Sequence, residues 1–119
     1  MEKIQSLKEN FLFNKAYSKG RSAVRRSIVV YAYKNSRVIL TRLGITINKK
    51  LGSAVERNRA RRMIREAFRQ LWNKDSRIAQ SKTLIVIVAR SRCFDPKVKT
   101  QVIYRDLKSA LFELKLMAE

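Results

Sequence analysis

Residues 83–89 read TLIVIVA, a nearly continuous apolar run. A run this short without alternation fits a strand covered on both faces, so any sheet that carries it needs layers packed above and below. No other stretch narrows the fold as far. SIVVYAY at 27–33 agrees: Ile28, Val30 and Ala32 point one way and Val29, Tyr31 and Tyr33 the other, as in a sheet with both faces occupied. KNS at 34–36 is a turn, and VILTRLGITIN at 38–48 resumes an extended run in which Gly44 marks a bend or a close backbone approach. GRSAV at 20–24 offers a further edge strand.

Helical periodicity fills the remainder. Ser6 and Glu9 have the S-x-x-E spacing of a capping box, followed by Leu7, Phe11, Leu12, Phe13 and Tyr17 before Gly20, which predicts a first helix over about 6–18. The stretch RNRARRMIREAFR at 57–69 opens the main helix. At 100° per residue Ala60, Met63, Ile64, Ala67, Phe68 and Leu71 share one arc, while Asn58, Arg61, Arg62, Arg65 and Arg69 fill another. After the DP punctuation at 95–96, Val102, Ile103, Leu107, Ala110, Leu111, Leu114 and Met117 predict a third helix running to the end. The order is helix, two or three strands, helix, strand, helix, read as one domain over 1–119. This is an α/β sandwich, and the strands flanking the arginine helix are expected to pair in parallel.

The charge points to a partner class. The chain has 28 Lys plus Arg against 9 Asp plus Glu, a formal charge of +19, yet it is 45% hydrophobic and therefore a folded protein rather than a basic tail. Self-repulsion on this scale is relieved by a polyanion, with nucleic acid ahead of an anionic membrane surface. No run reaches the length of a membrane span, and MEKIQSLKEN lacks the apolar centre of a signal peptide, so the cytoplasm is the expected location. Histidine is absent, which removes the commonest general base. The acidic residues are scattered without a tight pair, and Cys93, the only cysteine, can form neither an internal disulfide nor a cysteine metal cage. None of these residues outlines a catalytic constellation.

The arginine face is unlike an ordinary solvated one. Arg57, Arg61 and Arg65 stand at i, i+4 and i+8, where like charges cost a few tenths of a kcal/mol per pair. Guanidinium groups grip phosphate through two bonds and stack on bases, so the row describes a surface that tracks a nucleic-acid backbone. Lys49, Lys50 and the turn at Gly52 extend it, and the free N–H groups of the helix start offer a further place for a phosphate. Asn58 is either a hydrogen-bonding reader or a local cap.

The segment RLGITINKKLGSAVERNRARRMIREAFR at 42–69 resembles the signature of the protein components of bacterial ribonuclease P. That pattern runs from a strand through a Lys-Lys-x-Gly-x-Ala-Val turn into an Arg-Asn-Arg helix ending in Ile-Arg-x-Ala-Phe. FLFNKAYSKG, SIVVYAY and TLIVIVAR carry weaker similarity. The resemblance implies the small subunit of a ribonucleoprotein endonuclease, a hydrolase that removes the 5′ leader from precursor tRNA, with chemistry in the RNA subunit and its Mg2+ ions. It also implies a mostly antiparallel four-stranded sheet in an α-β-β-β-α-β-α order. The implied strand-helix-strand crossover is left-handed, whereas pattern alone suggests the usual right-handed one.

Carried over by position, Arg57, Asn58, Arg59, Arg61, Arg62 and Arg65, extended by Lys49 and Lys50, would contact the RNA subunit; helical geometry adds Arg69. Phe13, Tyr17 and Tyr31 match the aromatic positions of a cleft that holds the single-stranded leader, with core packing the other reading for Phe13. The sequence departs from the family at Asn48, where a small hydroxyl residue is common, and in a less basic N-terminus. A small basic ribosomal protein is the rival reading, followed by a DNA-binding protein.

Overall fold

The apolar run becomes the middle strand of a five-stranded sheet. In the computed structural model, which describes residues 3–117, the strands are β1 (Gln5–Ser6), β2 (Arg21–Val24), β3 (Ile28–Tyr33), β4 (Arg42–Thr46) and β5 (Leu84–Ala89). The helices are α1 (Asn10–Lys19), α2 (Ala54–Lys74), α3 (Arg77–Gln80) and α4 (Thr100–Glu113). The sheet order is β1-β4-β5-β3-β2.

β4 and β5 pair in parallel, as the intervening helix predicts, with Gly44 opposite Val86. β1 also runs parallel to β4, whereas β3 is antiparallel to both β5 and β2. The α/β sandwich therefore holds, but the sheet is mixed and five-stranded where four mostly antiparallel strands were expected. The extra strand displaces the first turn of the expected helix at 6–18. Leu7 is buried and its N–H donates to the Leu43 carbonyl (2.9 Å), which keeps the chain extended through Ser6. The Ser6 capping box does not form; Glu9 occupies the N-cap position without a side-chain cap bond and pairs with Arg42 (3.2 Å). The extended run at 38–48 is likewise shorter, because residues 38–41 form a loop that leaves Ile39 and Leu40 exposed.

Strand alternation sorts the sheet into two unequal faces. Ile28, Val30, Ala32, Leu43, Ile85 and Ile87 pack against α2 and α4, where Ile64, Phe68, Leu71, Ile103, Leu107 and Leu111 are buried. This is the main core. On the other face Leu84 and Val86 join Leu7 and Ala16 beneath α1, with Phe13, Tyr31, Tyr33 and Val88 only half-covered. The last helix stops short of the chain's end at Glu113. Its closing bonds, Leu116 N–H to the Leu111 carbonyl (2.9 Å) and Lys115 N–H to the Phe112 carbonyl (3.0 Å), turn the chain back so that Leu116 and Met117 reach the core.

Candidate nucleic-acid interface

The arginine helix begins three residues before Arg57. Ser53 is its N-cap: the Glu56 N–H donates to Ser53 Oγ (3.1 Å) and the Ser53 N–H donates to Glu56 Oε1 (2.9 Å). The box that sequence reading placed at Ser6 thus exists at Ser53, in the same S-x-x-E spacing. These bonds hold the Glu56 carboxyl below the usual range, chiefly through the Ser53 N–H. A carboxylate consequently occupies the helix start that was expected to welcome a phosphate. Gly52 is extended, and its role is space, since a Cβ there would lie 3.0 Å from the Phe94 ring. Asn58 lies inside the helix on its exposed side, so it is no cap.

The six arginines of 57–69 divide into three kinds. Arg57 donates to the carbonyls of Gly52 (2.6 Å) and Lys49 (3.3 Å), lashing the helix to the Lys49–Leu51 turn, and Arg59 donates to the Val98 carbonyl (2.6 Å). Both are half-buried, and each commits one guanidinium nitrogen to these carbonyls. Arg69 is exposed but paired with Glu66 through two bonds (2.6 and 2.9 Å), which pull the Glu66 carboxyl down to about 2. The side chains of Arg61, Arg62 and Arg65 make no hydrogen bond or ion pair with another described residue. With Val55 and Asn58 they line a shallow groove of about 390 Å³. Lys49 and Lys50 are exposed beside the helix start, in a turn capped by Asn48, whose Oδ1 accepts the Lys50 N–H (2.9 Å).

Phe13, Tyr17 and Tyr31 come together on the opposite face of the sheet. Phe13 and Tyr17 ring centroids are 6.4 Å apart, and Tyr17 meets Tyr31 edge-on at 5.1 Å. Register places Gly44, Val86 and Tyr31 in one row across three strands, and Phe13 lies directly on Gly44. A Cβ at position 44 would fall 2.5 Å from the ring, so the glycine marks a close approach, by a side chain. Thr46 was not singled out from the sequence. Its hydroxyl bonds to that of Tyr17 (2.7 Å), fixing the ring's tilt; the strand period, which puts Thr46 on the face of Gly44, was the available signal. Tyr17 remains 37% exposed, leaving ring surface open for stacking.

The two surfaces meet at the sheet edge. β1 pairs only with Arg42 and Leu43, so the remainder of β4 has no strand beyond it among the described residues. A groove of about 590 Å³ opens there, bounded by Phe13 and Gly44 on one side and by Arg61, Arg65 and Arg69 on the other. An aromatic wall thus continues around the edge of β4 into a guanidinium row, a combination that offers stacking and phosphate contacts to one strand.

Cys93 lies elsewhere, buried, donating to the Ser27 carbonyl (3.1 Å), and burial pushes its thiol up to about 11. No three of the Cys, Asp and Glu side chains among the described residues gather as metal ligands would. Among the described residues no helix is long and apolar enough to cross a membrane.

Fold and site together define a small basic α/β protein whose free cations and half-open aromatics border one edge of a mixed sheet. The family model for Ribonuclease P matches residues 1–115, and the chain belongs to that family. It is 43% identical over 95 residues to the ribonuclease P protein component of Staphylococcus epidermidis, covering 80% of this chain and 78% of the relative. The Symbiobacterium thermophilum component is 39% identical over 105 residues, 86% of this chain and 88% of its own. Among solved structures, the Staphylococcus aureus RNase P protein superposes with a TM-score of 0.80 at 35% identity, covering 98% of this chain and 100% of that one. The Thermotoga maritima protein gives 0.69 at 25% identity, covering 99% and 100%.

Proposed function

We propose that this chain, acting as one RNA-binding domain, is the protein subunit of a ribonuclease P ribonucleoprotein in the cytoplasm, and that it binds the catalytic RNA and the 5′ leader of precursor tRNA at once. The observation that carries the reading is the free row Arg61, Arg62 and Arg65 continuing around the β4 edge to Phe13. The row, with Lys49, Lys50 and Asn58, contacts phosphates of the RNA subunit. Arg57 and Arg59 shape that surface through their carbonyl bonds, and Arg69 joins it by exchanging Glu66 for phosphate. Phe13, Tyr17 and Tyr31 stack leader bases, each worth about 1–3 kcal/mol with little sequence preference, which suits an enzyme that processes many tRNAs.

In this reading the phosphodiester is cut by the RNA subunit with Mg2+ that the RNA holds. The protein contributes binding and orientation of the leader.

The test is cleavage of precursor tRNA at low magnesium by a bacterial ribonuclease P RNA, with and without the protein, beside a protein-only lane. Stimulation requiring both components, with correct 5′ ends, is the expected result. Absence of stimulation by folded, RNA-binding protein would favour the ribosomal reading, and cutting by the protein alone would overturn the division of labour.

A further inference from the structure

A second basic concavity lies at the other end of the molecule. A pocket of about 470 Å³ is lined by Lys19, Arg21, Lys34, Arg77 and Lys115, drawn from separate elements, and no acidic side chain lines it. Arg21 donates one bond to the Leu114 carbonyl (2.8 Å), and its remaining N–H donors are free; the other four side chains make no hydrogen bond or ion pair with another described residue.

Helix ends account for part of this charge. α1 and α4 finish at the pocket, and a helix C-terminus carries about half a negative charge, so the two offset about one of the five cations. Asp75, which accepts the Arg77 N–H (2.9 Å), offsets one more, leaving an excess of about three positive charges. The backbone adds an independent observation. Among the described residues the only non-glycine positions with positive φ are Lys82 (51°) and Lys115 (62°). Both follow helix ends, where glycine adopts this conformation without steric cost, and Lys115 lines the pocket. The closing turn of α4, held by the Lys115 and Leu116 N–H groups on the Phe112 and Leu111 carbonyls, thus places Lys115 in the cation-lined hollow.

Position rules out an extension of the arginine row. Arg77 follows the C-terminal end of α2, a helix about 30 Å long whose opposite end carries Lys49, Lys50 and Arg57. Arg65, the near end of the free row, lies nine residues before the end of α2, about 14 Å along the axis and nearly two Debye lengths at physiological salt, so the two patches are largely screened from each other.

We propose that this pocket binds a backbone phosphate of an RNA strand, so that the protein braces its RNA at two separate points. The inference rests on the chain's binding a ribonuclease P RNA, and the test separates the two ideas. The affinity of the full-length protein for a bacterial ribonuclease P RNA is measured against salt for wild type, Lys34→Gln/Arg77→Gln and Arg62→Gln/Arg65→Gln. Each lost phosphate contact lowers the log–log slope by about 0.9, so Lys34→Gln/Arg77→Gln, which empties a one-phosphate site, is expected to fall by about 0.9, Arg62→Gln/Arg65→Gln by up to nearly two, and the two losses to add when combined. The altered side chains are exposed, and circular dichroism checks the fold.

A second readout uses the buried state of Cys93. Lys34→Cys and Arg62→Cys each give one reactive thiol for a tethered hydroxyl-radical source, expected to cut the RNA at separate sets of nucleotides. An unchanged slope for Lys34→Gln/Arg77→Gln beside a reduced one for Arg62→Gln/Arg65→Gln, or no cutting from position 34, overturns the proposal and leaves the subunit reading intact. Failure of wild type to bind the RNA removes both.

Discussion

One face of the sheet is a core and the other is a working surface, although the same strands supply both. On β3, Ile28 and Val30 are fully buried beneath α2 and α4, while their neighbours Val29 and Tyr31 remain half-exposed beside α1. The difference comes from the covering layer. Two helices of 21 and 14 residues close the first face, and a single helix of 10 residues lies on the second. Side chains that alternate along a strand thus acquire opposite duties, because incomplete cover leaves ring faces open that full cover would convert to packing.

The comparison is broken most severely on the closed face. Phe68→Ala empties a fully buried ring and is expected to cost about 3–5 kcal/mol in urea unfolding, whereas Tyr31→Ala is expected to cost well under half of that. Comparable losses would mean that the aromatic face is core after all. Gly44→Ala tests the boundary between the two duties: its Cβ collides with the Phe13 ring, and displacing the ring is expected to cost about 1–3 kcal/mol while weakening leader binding. Tyr31→Ala itself is expected to reduce discrimination of leader-bearing from mature tRNA by about 1–3 kcal/mol, read as the ratio of the two dissociation constants. Equal loss for both tRNAs would remove the cleft from the mechanism.

Within α2 the contrast is between arginines that hold the fold and those left free. Arg62→Ala is expected to lower the salt slope of RNA binding by about 0.9 without changing stability. Arg57→Ala, which strips donors from the Gly52 and Lys49 carbonyls, is expected to lower the melting temperature and change the slope less. The smallest effect belongs to Glu66. Its carboxyl is held at about 2, below its ordinary 4.5, so its contribution to stability is present above pH 4.5 and lost as pH falls from there through 2. The pair is exposed and screened, and Glu66→Gln is expected to remove only a slight part of the acid-range change in melting temperature.

Much of this was legible from residue order. The buried arc Ala60, Met63, Ile64, Ala67, Phe68 and Leu71 follows from helical period, and the parallel pairing of β4 with β5 from the length of the connection between them. The first helix was misplaced because Ser6 and Glu9 satisfy a local rule that loses to a tertiary one: Leu7 gains burial and a strand pairing only if the chain stays extended. Ser53 and Glu56 satisfy the same rule with no such competitor, and there it holds.

The sequence alone determined the family, through the segment at 42–69, and the existence of one cationic and one aromatic set of side chains. Tertiary structure decided which members of each set are available. Arg57 and Arg59 each commit one guanidinium nitrogen to the carbonyls of a turn and a loop, and Arg69 pairs with a neighbouring carboxylate, whereas Arg61, Arg62 and Arg65 keep every donor. The two sets are joined around the β4 edge because β1 ends after two residues. Periodicity reports the direction in which a side chain leaves its own element; its hydrogen-bond partners depend on elements distant in sequence, which no local pattern encodes.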